Sequence, residues 1–494
     1  MKYGLCLFVA LLITASSSAL GSQSIQFERF SIPVAGRIVL ALQGSELTGA
    51  AADVNARTQG ALAAAIKEAK FKGKKDKTLT LCGIAPYDRI DLIGIGDSGI
   101  DRNSAEDFGG TAAGALKGVK GGSVQILWNP GEAADEASAA RVAFGFRLGS
   151  YKFDRYKEKK DEDQGEPATI RILSDDGSAP VFNNDLDHLA KGVYFACDMP
   201  SEPANVIYPE SFVDRARELL DDVDVKIRVL DEKDLQRLNM EAHYGVGKGS
   251  VRPPRLLIVE YMGGGDDAPI VLAGKGITFD TGGISLKQNK GMWAMKGDLG
   301  GAGVVIGTIY AAAAREEKVN LVALAALAEN MPSDRANRPG DVQRTMSGKT
   351  IEILSTDAEG RLVLSDAVHY AQVNYEPSVL IDVATLTGAV GRALGDDYAG
   401  VFGRHQALID ELMQASRTAN EGLWQLPLDD HHFEQLKSDY ADVKNSDTGN
   451  PGASTGAAFI GSFVKEEQVW AHLDIASVDK LDKGRPTMPK GFSG

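Results

Sequence analysis

The chain has 494 residues, 43% of them hydrophobic and 24% charged, which is enough length for two or three domains with a well-buried core. Lys plus Arg total 53 against 68 acids, and the resulting net charge of −15 excludes a phosphate-binding surface spread over the whole molecule. Cys6, Cys82 and Cys197 are the only cysteines and no His-Glu-x-x-His occurs, so there is no disulfide framework or Cys-rich zinc site, and any bound metal must rest on carboxylates.

Residues 1–22 read as a signal-like segment. Lys2 precedes an apolar run from Tyr3 to Ala15, followed by small residues through Gly21 that suit cleavage. The run is too short for a stable membrane span and points to export, periplasmic or secreted.

Residues 23–183 alternate short strands and helices, which predicts a smaller N-terminal α/β domain. Strands are expected at Ile38–Leu42, Thr78–Leu81, Asp91–Ile95 and Val124–Trp128, and helices at Gly60–Ala69 and Ala105–Leu116. Gly94-Ile-Gly96-Asp-Ser-Gly99 matches a dinucleotide fingerprint after a strand, but no acid stands at the expected distance, so it reads as a decoy. The charged run Lys152–Glu166 is expected to be a solvated loop.

Residues 184–494 form a larger second domain. A helix over Leu186–Cys197 leads in, and another covers Phe212–Leu220. Strands are expected at Lys226–Leu230, Arg255–Tyr261, Ile270–Ala273, Asn320–Leu324, Ile351–Leu354 and Val379–Val383. Helices at Ala302–Ala314, Leu364–Gln372 and Ala407–Ala415 complete a mixed central sheet covered on both faces, so the fold class is α/β throughout.

The chemistry gathers between residues 274 and 362. Lys275 follows the expected strand Ile270–Ala273, at the carboxyl end where open α/β sheets place ligands, and Asp280 lies five residues on in a Gly-rich turn. Lys287 and Asp298 come next, then Asp357 and Glu359 just before a helix. Any one of these acids alone would read as a helix cap. Three Asp, one Glu and two Lys over two Gly-rich turns point instead to a divalent-metal site.

The octapeptide Ser355-Thr-Asp-Ala-Glu-Gly-Arg-Leu362 resembles the signature of the leucine aminopeptidase family of two-metal exopeptidases. Further blocks extend the resemblance from about Gly192 to Pro489: Glu202-Pro-Ala-Asn205, Glu329-Asn-Met-Pro332, Arg338-Pro-Gly-Asp341, Ala384-Thr-Leu-Thr-Gly-Ala389 and Trp470-Ala-His-Leu-Asp-Ile-Ala476.

The resemblance implies removal of N-terminal amino acids, with leucine and other apolar residues preferred. It implies two divalent ions per subunit, zinc or manganese, with magnesium or cobalt also tolerated. One ion would be held by Asp280, Asp357 and Glu359, the other by Lys275, Asp280, Asp298 and Glu359. Lys287 would stabilise the oxyanion and Arg361 would hold bicarbonate, while Met295, Thr385, Leu386 and Gly388 would place the peptide. A homohexamer of two trimers is implied, as is the cytoplasmic location of most relatives, the alternative to export.

Ser355 stands where the family has Asn and Trp293 where many relatives carry Asp; the chain ends at Gly494, before the family's usual short final helix. Two other functions compete with this one. One is a catalytically inactive hexameric binding relative, which the complete set of charged residues opposes. The other is a DNA-binding accessory role, which the net charge of −15 opposes, so nucleic acid is not an expected partner.

Overall fold

A computed structural model describes residues 23–97, 101–128, 137–158, 165–175, 177–446 and 452–493. The signal-like segment 1–22 lies outside the described residues. The chain divides into two compact units: Met1–Ser98 with Ala115–Ala133 and Glu158–Asp176, and Gly99–Gly114 with Ala134–Lys157 and Gly177–Gly494.

The first unit is built on strands β1 (Ile25–Glu28), β2 (Gly36–Leu42), β3 (Thr78–Cys82), β4 (Tyr87–Gly94), β5 (Ser123–Leu127) and β6 (Thr169–Leu173). They form one sheet in the order β1-β6-β5-β2-β4-β3, parallel except for the edge strand β3. Ile38, Leu40 and Leu42 of β2 alternate onto one face, where they meet Val54, Leu62 and Ile66 of the helices Gly49–Arg57 and Ala61–Glu68. Strands β1 and β6 were not anticipated; each is a short run that gains its partner only from far along the chain, Ile25 opposite Ile170. Of the fingerprint glycines, Gly94 serves packing, since a Cβ there would lie 2.2 Å from the Lys74 carbonyl oxygen, and Gly99 lies outside the described residues.

The second unit carries β7 (Lys226–Leu230), β8 (Arg255–Met262), β9 (Ile270–Asp280), β10 (Asn320–Asn330), β11 (Val342–Arg344), β12 (Thr350–Glu352), β13 (Val379–Ala384), β14 (Ala399–Gly403), β15 (Leu423–Gln425), β16 (Val443–Lys444), β17 (Trp470–Asp474), β18 (Lys480–Leu481) and β19 (Gly491–Phe492). Eight of them make a mixed sheet in the order β15-β14-β17-β13-β9-β10-β8-β7. Its centre, β17-β13-β9-β10, is parallel, so four carboxyl ends open on one edge.

Both faces of this sheet are covered, and strand period decides which residue goes where. Leu256, Ile258, Val322 and Leu324 join the cluster under the helix Gly360–Tyr375; Leu257, Val259, Leu321 and Ala323 join that under the helix Gly300–Ala314. Every residue of β10 is buried, as a strand covered on both faces must be. Met292–Ala314 is the one described stretch long and apolar enough to cross a membrane, and it is mostly buried in this core.

One local expectation changes. Strand β9 does not stop at Ala273 but runs to Asp280, so Lys275 projects from mid-strand and Asp280 takes the carboxyl end. The glycines there suggested a break, yet they permit close packing: a Cβ on Gly274 would lie 2.5 Å from the Gly301 carbonyl oxygen. The described part of the run from Lys152 is a largely exposed loop, as expected, and two of its side chains, with the preceding Tyr151, reach back to a helix end. Tyr151 donates to Asp198 at 2.8 Å, Arg155 pairs with Asp198 and Glu202, and Tyr156 donates to Glu202. Half-buried Asp198 and buried Glu202, at the end of the helix Asp187–Ser201, recruit these side chains. Residues 159–164 of the run lie outside the described residues.

Candidate functional site

The four parallel carboxyl ends supply Asp280 on β9, Asn330 on β10, Thr385 just after β13 and Asp474 on β17. Into the same edge the helix Gly360–Tyr375 projects its first turn, with Glu359 at its N-cap and Arg361 one residue inside. A carboxylate at a helix N-terminus is favoured by the exposed N–H groups and the helix dipole.

Two lysines interleave four carboxylates. Lys275 Nζ lies 2.7 Å from Asp298 Oδ1 and 3.0 Å from Glu359 Oε1, and donates to the Thr385 carbonyl at 2.9 Å. Lys287 Nζ lies 2.8 Å from Asp280 Oδ2 and 2.6 Å from Asp357 Oδ1. The site has a closed floor and an open rim: side-chain exposure is 4% at Lys275 and 3% at Glu359, against 24% at Lys287 and 36% at Asp357.

Ligand-like geometry centres on Asp280, Asp357 and Glu359, each of which offers an oxygen within 4.8 Å of the others. Asp298 stands beside this group, linked through Lys275 and receiving the Thr385 hydroxyl at 2.7 Å. Two buried oxygens, Asp298 Oδ2 and Glu359 Oε2, have no hydrogen-bond partner among the described residues. Four acids facing two ammonium groups, with two buried oxygens unsatisfied, fit hard divalent cations.

The electrostatics follow from crowding carboxylates in a dry place. Burial, helped by Glu359 and opposed by Lys287 and Lys275, pushes Asp280 up to about 7. Burial likewise raises Asp298 and Asp357. Glu359 goes the other way: burial acts against ionisation, but Lys275 and Lys287 outweigh it and hold the group down at about 2. For Lys275, burial acts downward, and Asp298, Glu359 and Asp280 more than offset it, so among the protein's own groups its pKa is raised.

Arg361 is buried, and among the described residues no carboxylate forms an ion pair with it. Its Nη1 donates to the Asn445 carbonyl at 3.0 Å, and its Nε has no partner among the described residues. Burial lowers its pKa, against the pull of Glu359 and Asp474. A buried guanidinium with an unpartnered Nε–H suits an oxyanion.

Met295 lies in the short 3-10 helix Met292–Gly297 that delivers Asp298, and its carbonyl accepts the Asp298 N–H at 3.4 Å. Thr385 touches both Lys275 and Asp298; Leu386 and Gly388 continue the same turn into the helix Gly388–Leu394. Trp293 is 63% exposed, with Lys480 Nζ 5.1 Å from its ring centroid.

Sequence reasoning missed the groups that hold the two turns. Asn330 Nδ2 donates to Asp280 Oδ1 at 2.8 Å and to the Thr356 carbonyl at 3.0 Å, tying the Asp280 turn to the octapeptide. Asn445 grips the octapeptide from outside, accepting from Leu354 at 2.9 Å and donating to the Ser355 carbonyl at 2.6 Å. Ser355 Oγ accepts the Asp357 N–H at 3.2 Å, so the residue at the family's Asn position supports the turn through its hydroxyl. Asn330 and Asp474 sit inside blocks already noted; Asn445 carried no signal.

Comparison with known proteins finds one family along most of the chain. The family model described as "Cytosol aminopeptidase family, catalytic domain" matches residues 194–494, and that for the N-terminal domain of the same family matches 38–160. The chain is 42% identical over 466 residues to a "Probable cytosol aminopeptidase" of Caulobacter vibrioides, covering 92% of this chain and 93% of that one. It is 43% identical over 424 residues to the protein of the same description in Xanthobacter autotrophicus, covering 84% of each. Among solved structures it resembles a tomato leucine aminopeptidase variant with a TM-score of 0.83, at 29% identity over 94% of this chain and 95% of that one. It also resembles the bottromycin maturation enzyme BotP in complex with Mn, with a TM-score of 0.82, at 27% identity over 93% of this chain and 96% of that one.

Proposed function

Because the chain belongs to the cytosol aminopeptidase family, and is therefore a metal-dependent aminopeptidase, a hydrolase, we propose that it releases leucine and other apolar first residues from peptides at a two-cation site. The observation that carries this is the meeting of Asp280, Asp357 and Glu359 oxygens within 4.8 Å, beside the unpartnered Asp298 and Glu359 oxygens. Asp280, Asp357 and Glu359 would hold one cation, and Lys275, Asp280, Asp298 and Glu359 the other. Zinc or manganese suits the donor set, with magnesium or cobalt tolerated. Bound cations supply a water acidified towards neutrality and a Lewis acid for the peptide carbonyl.

The chain's own residues do the rest. Lys287, at the rim, stays cationic and donates to the oxygen on which negative charge grows when the carbonyl is attacked. Arg361 would hold bicarbonate through its free donors, an anion suited to accepting and returning a proton. The backbone of Thr385, Leu386 and Gly388 would align the peptide with Met295 facing its first side chain. A free α-amino group is a ligand that only the first residue presents, which restricts the reaction to chain ends.

Residues 184–494 make up the catalytic domain in this reading, and a homohexamer of two trimers is its assembly. Light scattering should give six times the chain mass of 52.5 kDa, and a monomer would remove the hexamer from the proposal. The shared name of the curated relatives supports a cytosolic location over export; N-terminal sequencing that begins near residue 22 would overturn that.

The test is hydrolysis of leucine p-nitroanilide by purified protein, with and without chelator and added manganese or zinc, beside Asp357→Ala. Chelator-sensitive, metal-restored turnover absent from the variant supports the reading. A folded, metal-loaded wild type inactive across a panel of aminoacyl substrates would end it.

A further inference from the structure

Asp474 closes β17 with its side chain fully buried, and it has no part in the chemistry above. One carboxylate oxygen accepts the backbone N–H groups of Leu386, Thr387 and Ala476 at 3.1, 3.4 and 3.3 Å. The other accepts the Thr387 hydroxyl at 2.6 Å. That hydroxyl in turn accepts the Val390 N–H at 3.2 Å, capping the helix Gly388–Leu394. A single buried carboxylate is thus tied to both backbone and side chain of the turn after β13. The residue that opens the turn, Thr385, accepts from Lys275 and donates to Asp298. Opposite, a Cβ on Gly456 would meet Leu386 and Thr387 at 3.1 Å and Arg361 Nη2 at 3.4 Å, so the turn and the guanidinium share one wall.

We infer that Asp474 is the positioning residue of the peptide-binding turn Thr385–Gly388, setting the backbone against which a substrate aligns. It acts through Thr387 and is not needed to retain cations. The inference rests on the proposed role of Thr385, Leu386 and Gly388 in placing the peptide. A buried carboxylate satisfied by four donors is rigid, and the three of them that come from the turn leave it a single position relative to β17. A turn free to shift by a fraction of an ångström would still fold, but would present its backbone groups out of register with the reacting carbonyl.

Asp474→Asn keeps the volume and removes the acceptor facing the Thr387 hydroxyl; Thr387→Val deletes the hydroxyl and Thr387→Ser keeps it. The full chain, loaded with manganese, is assayed for kcat and KM on leucine p-nitroanilide, for bound manganese after gel filtration and for its melting curve. Asp474→Asn and Thr387→Val should each lower kcat/KM about tenfold or more, with Thr387→Ser within about threefold of wild type. The double variant Asp474→Asn with Thr387→Val should lose no more than the worse single one, since both break one link. Bound manganese should match wild type.

The inference is overturned if folded Asp474→Asn keeps kcat/KM within about twofold of wild type, if the single losses multiply in the double variant, or if manganese is lost. Should Asp474→Asn not fold, Thr387→Val against Thr387→Ser decides, and equal activity overturns it. Failure of the aminopeptidase reading itself would look different: wild type would then show no manganese-dependent hydrolysis.

Discussion

At the scale of single residues, the site depends on side chains threaded through very little space. Lys275 reaches Glu359 past Gly360, where an added Cβ would lie 2.4 Å from Lys275 Cε. Gly360→Ala should therefore displace the lysine and lower kcat/KM by about tenfold or more while the fold survives, read by steady-state kinetics beside circular dichroism. Wild-type kinetics in that variant would mean that Lys275 can move without consequence. Lys287 offers a cleaner separation of roles, since it acts on charge that develops only during reaction. Lys287→Gln should lower kcat by about 100-fold with KM little changed. A raised KM with unchanged kcat would instead make Lys287 a substrate-binding group.

At the scale of elements, the sheet edge is presented by helices packed unusually close. The helices Asp187–Ser201 and Gly300–Ala314 cross at Gly192 and Gly307, where an added Cβ would lie 2.5 and 2.4 Å from the opposing carbonyl oxygens. Gly192→Ala or Gly307→Ala should lower stability by about 1–3 kcal/mol through overpacking, seen as an earlier urea midpoint. An unchanged midpoint would show that the crossing can open at no cost. The helix Gly300–Ala314 follows directly on Asp298, so the same variants should also shift activity, whereas Gly114→Ala, with open space at its Cβ position inside a helix, should leave activity unchanged.

At the scale of the whole molecule, ionisation couples the core to pH. His243 is buried, its Nε2 3.1 Å from the Leu327 carbonyl oxygen, and burial lowers its pKa to about 4 from an ordinary 6.5, opposed only by that hydrogen bond. The unfolded chain therefore binds a proton that the folded one refuses. The stabilising contribution is complete above 6.5 and is lost as pH falls towards 4, by up to about 3 kcal/mol. Asp366, raised to about 7 by burial, has the opposite sign, its contribution fading as pH climbs towards that value. Comparing wild type with His243→Gln cancels the Asp366 part: the variant's urea midpoint should fall less between pH 7 and 4.5, and parallel curves would rule His243 out. Metal linkage acts on the same scale. Chelation should lower the melting temperature reversibly, and adding back manganese at about 100 times its Kd should restore about 2.7 kcal/mol.

Much of this was legible in the amino-acid order because it is written in short range. Continuous apolar runs such as residues 256–259 and apolar helices such as Gly300–Ala314 declare themselves through side chains that neighbours in sequence must share. The octapeptide and its companion blocks were equally readable, since chemistry constrains consecutive residues there. What only the tertiary structure decided is long-range. Strand β9 continues past its glycines because Gly301 comes to lie against Gly274, and β1 exists because Ile25 finds Ile170. Asn445 and Asp474 hold turns some 90 residues away, 90 for Asn445 to Ser355 and 88 for Asp474 to Leu386. Hydrogen bonds of that kind leave no local periodicity or composition behind, because only the folded sheet brings their donors and acceptors to one edge.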